Sequence, residues 1–234
     1  VPYISYHLTC QLFPSAPSQK YFSLTNRPVL ESKMLKYNGI VEITGKKGSG
    51  RTNIVLKESQ RKGTLFISVK PLPINRYTNL LAKKYGNKIT EIDDHLNNTF
   101  ILIINKLERL EAFILYKLND LVKKHGISLI VLYEIDFLLL DDYVEMDSIF
   151  CVMNKLHEIK YNNRLDVVFV TLYRKVFSHN YNIRLSMEYF INERYQVSRR
   201  NDARKIVHVN YSNNDVFNVL ITDDDVIYVR KQEE

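Results

Sequence analysis

The chain has 234 residues, enough for one sizeable core and too few for a second domain of ordinary size. Its 45% hydrophobic share, with only 7 Gly and 6 Pro, excludes a disordered chain, and a net charge of +7 favours polyanionic partners. The longest apolar runs, TFILIIN (99–105) and SLIVLYEIDFLLL (128–140), are too short or too interrupted by charge to span a bilayer. The opening VPYISYHLTC lacks the basic start and long apolar stretch of a signal peptide, so a soluble, intracellular protein with no membrane contact is expected. Cys10 and Cys151 are far apart without a CxxC pattern, and the six histidines are scattered, so neither a disulfide scaffold nor a metal cage is expected.

In chain order, residues 1–38 carry the breakers FPSAPSQ (13–19) and NRP (26–28) and read as an arm ahead of a core domain at 39–234. Tyr3, Tyr6, Leu12 and Phe13 give that arm apolar surface to lay on a partner. From 40 on, apolar runs alternate with helical patterns: strand 40–44, helix 51–60, strand 64–69, helix 74–85, strand 99–105. Leu107, Leu110, Ile114, Leu118 and Leu121 repeat at spacings of three and four, predicting one continuous helix over 107–124. Strand 128–133, helix 145–160 and strand 166–171 continue the alternation. The pattern implies an α/β fold with a mostly parallel sheet covered by helices on both faces. KIVHVNY (205–211), DVFNVLIT (215–222) and DVIYVR (225–230) follow one another across short polar turns, which predicts a C-terminal antiparallel meander. The acidic DDY (141–143) and DDD (223–225) fall in expected turns, where Asp is favoured for backbone reasons.

GIVEITGKKGSGRT (39–52) places glycines between a strand and a helix, the frame of a loop that cradles phosphate on backbone N–H groups. The candidate nucleotide-binding residues are therefore Gly45, Lys46, Lys47, Gly48, Ser49, Gly50, Arg51 and Thr52. Arg51 stands where such loops carry lysine, and a planar guanidinium does not fit the ammonium's position against the phosphates. ATP is expected to bind weakly at most.

The stretch SLTNRPVLESKMLKYNGIVEITGKKGSGRT (23–52) resembles the approach to the RecA-like core of strand-exchange recombinases. TLFISVKPLPINRYTNLL (64–81) resembles that family's next strand and helix, SLIVLYEIDFLLL its Walker B strand, and DVVFVTLYRKV (166–176) the strand leading to its DNA-facing loop. The resemblance implies a RecA-like P-loop NTPase core over most of 23–230. It also implies altered chemistry at each functional position. The family's catalytic glutamate falls on Lys70, which cannot accept a proton while charged. Its Walker B aspartate falls on Tyr133, with Glu134 and Asp136 nearby, which leaves magnesium without its usual anchor. Its phosphate-sensing pair falls on Leu172 and Tyr173, neither an amide. The chain is similar to the eukaryotic recombinase paralogues, in particular the short cross-complementing type that lacks an N-terminal domain. That likeness implies a nuclear, hetero-oligomeric partner of other paralogues and of the recombinase filament. It implies a pseudo-ATPase role in homologous recombination. Two further readings stay open: an active DNA-dependent P-loop ATPase, and a structural RecA-like scaffold of the Elongator kind.

Residues 174–205 hold eight Lys or Arg against three Asp or Glu, a net +5 out of the chain's +7. Phe177, Tyr181, Tyr189, Phe190 and Tyr195 interleave with them, a combination suited to the phosphates and stacked bases of single-stranded DNA. The candidate DNA-binding residues are Arg174, Lys175, Arg184, Arg194, Arg199, Arg200, Arg204 and Lys205. The alternative for each single residue is that the aromatics belong to the core and the cations to a solvated rim.

Overall fold

A computed structural model describes residues 39–61, 63–86, 88–135, 138, 146–172, 187–200, 203–209, 214–221 and 226–229, with those from 199 onward described for their backbone course alone. The predicted arm at 1–38 lies outside the described residues.

Strands β1 (Ile40–Gly45), β2 (Thr64–Ser68), β3 (Thr99–Ile103), β4 (Leu129–Tyr133), β5 (Asp166–Leu172) and β6 (Ile191–Arg200) form the all-parallel part of one sheet in the order β3-β2-β4-β5-β1-β6. The sheet continues through β7 (Ala203–Val209), β8 (Asn214–Ile221) and β9 (Val226–Val229), each antiparallel to its predecessor. Helices α1 (Arg51–Glu58), α2 (Ile74–Tyr85) and α3 (Ile89–Asn97) lie on one face of the sheet. Helices α4 (Leu107–Tyr116), α5 (Leu118–His125) and α6 (Met146–Asn163) lie on the other.

Two apolar layers follow from the period of two along each strand. Leu129 and Val131 of β4 pack with Ile54, Leu56, Tyr77 and Leu81 on the α1–α3 side. Ile130 and Leu132 pack with Leu110, Ile114, Val152 and Leu156 on the α4–α6 side. Coverage on both sides explains why these strands read as unbroken apolar runs rather than alternating ones. The expected α/β class and helix-covered parallel sheet are therefore present.

Three local expectations need correction. The predicted helix 107–124 is two helices meeting at Lys117, whose ψ of −30 and φ of −122 lie off the helical norm. Its N–H still reaches Phe113 O at 2.9 Å and its carbonyl still accepts from Leu121 N–H at 3.1 Å, so the ladder bends without breaking. Val122, rather than Leu121, lies fully in the core. Helix α3 is absent from the expected elements, because NKITEIDDHLNN is mostly polar. It is held by Ile92, His95 and Leu96 at spacings of three and one, with His95 Nε2 2.9 Å from the Tyr77 hydroxyl. Strand β6 occupies part of the expected aromatic, cationic DNA segment. Ile191, Glu193, Tyr195 and Val197 alternate inward along it, and Phe190 and Tyr195 are core residues, whereas Tyr189 is 80% exposed. Phe177 and Tyr181 lie outside the described residues.

Candidate functional site

Strand β1 leads to β2 across β5 and β4, whereas β5 leads to β6 across β1, so the direction of chain progress reverses between β1 and β5. In open α/β sheets, the carboxyl ends of strands at such a reversal form the crevice where ligands sit. The loop after β1, Lys46–Gly50, lies there, beside the ends of β4 and β5.

Gly45 ends β1 against β6. A Cβ at this position would collide with Val197 O and lie 2.6 Å from Ser49 Oγ, so only glycine permits the approach. Lys46 and Lys47 are exposed, and neither forms an ion pair among the described residues. Gly48 (φ +78) and Gly50 (φ +101) take the left-handed conformation that turns the loop into α1. The Ser49 N–H donates to Lys46 O at 3.1 Å, while its buried hydroxyl has no hydrogen-bond partner among the described residues.

Arg51 and Thr52, expected from the sequence to meet phosphate and metal, are engaged with the protein itself. Arg51 is 5% exposed. Its Nη1 donates to the Thr171 carbonyl at the end of β5, and its Nη2 lies 3.3 Å from Glu134 Oε1. Glu134 is the first residue past β4 and has a left-handed backbone, φ +54, unusual for a residue with a Cβ. The Thr52 hydroxyl is 2.7 Å from the phenol of Tyr133. Burial pushes the Tyr133 phenol above its ordinary value, offset in part by the Thr52 hydrogen bond. Next to them, Arg76 Nη1 donates to Asn53 Oδ1 at 2.9 Å.

The raised phenol carries a prediction. Above pH 10.0 the unfolded chain loses the Tyr133 proton before the folded chain does, so unfolding becomes easier as pH rises through that window. Tyr133→Phe should flatten this alkaline loss, measured by denaturant unfolding between pH 9 and about 11. An unchanged slope would mean that the phenol is not held neutral by its surroundings.

Lys70, the expected place of the catalytic glutamate, is exposed just past β2, and Leu172 closes β5 half-buried. Asp136 and Tyr173 lie outside the described residues. Among the described residues no cluster of three or more His, Cys, Asp or Glu could hold a metal.

Of the cationic candidates, Arg174, Lys175 and Arg184 lie outside the described residues. Arg194 pairs across the strands with Glu42 of β1. Its Nε donates to Glu42 Oε2 at 2.5 Å and its Nη2 to Glu188 Oε1 at 3.1 Å. Burial pulls the guanidinium's pKa down, but the carboxylates of Glu42 and Glu188 outweigh it and the net shift is upward. Arg199 is the register partner of Arg204, and Lys205 that of Ser198, so the backbone gathers four of the candidate cations at one end of the β6–β7 hairpin. Gly45 is the register partner of Val197, which puts that hairpin end on the same edge of the sheet as the glycine loop.

Sequence reasoning missed Glu42 and Thr171. Glu42 is completely buried and accepts from the Thr171 hydroxyl at 2.6 Å, while the Thr171 carbonyl accepts from Arg51. A polar chain therefore runs Arg194, Glu42, Thr171, Arg51, Glu134 from β6 to the end of β4. The available signal was the lone glutamate inside IVEIT, since a charge in a strand buried on both faces demands partners.

No family model matches the chain, and no curated protein matches it by sequence.

Proposed function

We propose that this chain is a non-hydrolysing, RecA-like P-loop paralogue: a nuclear subunit of a hetero-oligomer that binds single-stranded DNA and assists recombinase filaments in homologous recombination. The observation that carries the reading is that Arg51 and Thr52 are occupied by Glu134, the Thr171 carbonyl and Tyr133. A working site needs a free cation on the phosphates and a hydroxyl and carboxylate on magnesium. Here the phenol takes the hydroxyl and the carboxylate takes the cation.

Two further features support the binding role. The β6–β7 hairpin end brings Arg199, Arg200, Arg204 and Lys205 beside the loop lysines, an edge suited to a phosphate backbone. Among the described residues strand β3 ends the sheet on one side, and Ile101 and Ile103 are 41% and 52% exposed on it. An apolar sheet edge invites a strand from a partner, as a hetero-oligomer requires.

The test joins turnover and binding. ATP hydrolysis with single-stranded DNA present should stay at background and be unchanged by Thr52→Ala. Charge reversal at Arg199 and Arg200 should weaken DNA binding and lower the salt slope by ~0.7 for each phosphate that is no longer neutralised. Turnover that Thr52→Ala abolishes would make the chain an ATPase. DNA affinity indifferent to the reversal would leave only a scaffold.

A further inference from the structure

The glycine loop is not an empty cradle. Helix α1 begins at the loop with no side-chain cap on its N-terminus, the buried Ser49 hydroxyl has no hydrogen-bond partner among the described residues, and Lys46 and Lys47 are exposed. All are chemistry for an anion. Arg51, a buried cation at the loop, faces a carboxylate supplied by the chain itself.

We propose that Glu134 is a built-in competitor for the loop's anion: it occupies Arg51 in the way a polyphosphate would, and the loop takes an inorganic polyphosphate once Glu134 is neutralised. The inference rests on the P-loop reading above. Three observations converge on it. The Arg51 side chain is 6% exposed and that of Glu134 17%, so the pair is shielded enough for its charges to matter to each other. Glu134 reaches Arg51 from a left-handed backbone, a conformation that is unfavourable for a residue with a Cβ and must be held by its surroundings. Its N–H donates to Val170 O at 2.8 Å, which pins the residue at the end of β5 next to the Thr171 carbonyl that also binds Arg51. The carboxylate is thus presented to the guanidinium by backbone geometry and is not a freely moving surface group.

The same placement separates two roles for Glu134. As a metal ligand it would strengthen binding of a magnesium polyphosphate, and its removal would weaken that binding. As a competitor it does the opposite.

Binding of sodium tripolyphosphate, without magnesium, to the full chain can be followed by calorimetry and by phosphorus NMR. Glu134→Gln keeps the shape and removes the charge. It should bind at least about tenfold more tightly than the parent, because Arg51 regains a charge-assisted contact. Adding Arg51→Ala to Glu134→Gln should abolish the gain. Glu134→Gly, which also relieves the left-handed strain, should reproduce it and serves if the glutamine variant folds poorly. No gain in either variant, or a gain that survives Arg51→Ala, overturns the proposal. A parallel titration with magnesium added, in which the parent binds tripolyphosphate and Glu134→Gln does not, would overturn it too, by making Glu134 a metal ligand. ATP turnover in the parent chain would instead refute the non-hydrolysing reading, whatever the tripolyphosphate result.

Discussion

Replacement of Glu42 by alanine is expected to lower the unfolding free energy by about 3 kcal/mol, the lower end of the range for breaking a buried ion pair. Glu42 is fully buried in β1 and is held from both sides, by the Thr171 hydroxyl of β5 and by Arg194 of β6. Its removal strands a guanidinium and a hydroxyl in the middle of the sheet. Arg194 is 26% exposed and keeps Glu188, so part of its charge can turn to water, which is why the lower end applies. Glu42→Gln should cost less than alanine, since an amide oxygen still accepts from Thr171. Joint replacement of Glu42 by Leu and Arg194 by Met should recover much of the loss, because an apolar pair of similar volume often matches a buried ion pair. Urea unfolding of the parent and the three variants decides it. A loss below about 1 kcal/mol in Glu42→Ala would place the worth of this pair in the surface range.

The sheet was legible in the sequence because its parallel strands are buried on both faces. IVEIT, TLFIS, LIVLY and DVVFVT are short apolar runs bounded by turn residues, and runs of that length and composition fit buried strands better than helices. What escaped notice depends on tertiary context. Strand β6 mixes Arg and Glu with Tyr and Val, and its alternation becomes visible only when β1 lies beside it to shelter Tyr195 and Val197. Helix α3 buries only a small set of side chains, and its anchor, His95, is polar until Tyr77 supplies a hydrogen bond. The break at Lys117 has no glycine or proline to announce it, and the backbone bonds on either side persist.

The loop itself was the most legible part of the site. Its glycine spacing located the crevice at the carboxyl ends of the strands, and Arg51 and Tyr133 stood out in the sequence as residues to follow there. What those residues do instead could not be read locally, because Arg51 meets Glu134 and Thr171 from positions 83 and 120 residues away. Those partners come together only where β1, β4 and β5 end on one edge. The cationic segment shows the converse. Arg194 looked like its neighbours in sequence, yet a buried carboxylate two strands from β4 draws it into the sheet.

Gly45→Ala and Gly48→Ala should separate the two reasons a glycine is needed in this loop. At Gly45 a methyl group would collide with the Val197 carbonyl and meet the buried Ser49 hydroxyl at 2.6 Å. The first is backbone of the neighbouring strand and cannot rotate away, so β1 and β6 must move apart at their carboxyl ends. Overpacking of this kind costs about 3 kcal/mol. At Gly48 nothing lies within 4 Å of a new Cβ, and only the φ of +78 resists it. The cost there is the left-handed penalty of a single residue, about 1–2 kcal/mol, partly offset by the smaller entropy of the unfolded chain. Thermal unfolding should therefore rank Gly45→Ala well below Gly48→Ala. Amide exchange should locate the first defect at the β1–β6 register near Gly45 and Val197. Equal losses, or fast exchange confined to the loop in both variants, would mean that β1 and β6 do not approach as closely as the glycine implies. The basic hairpin end would then not be fixed beside the glycine loop.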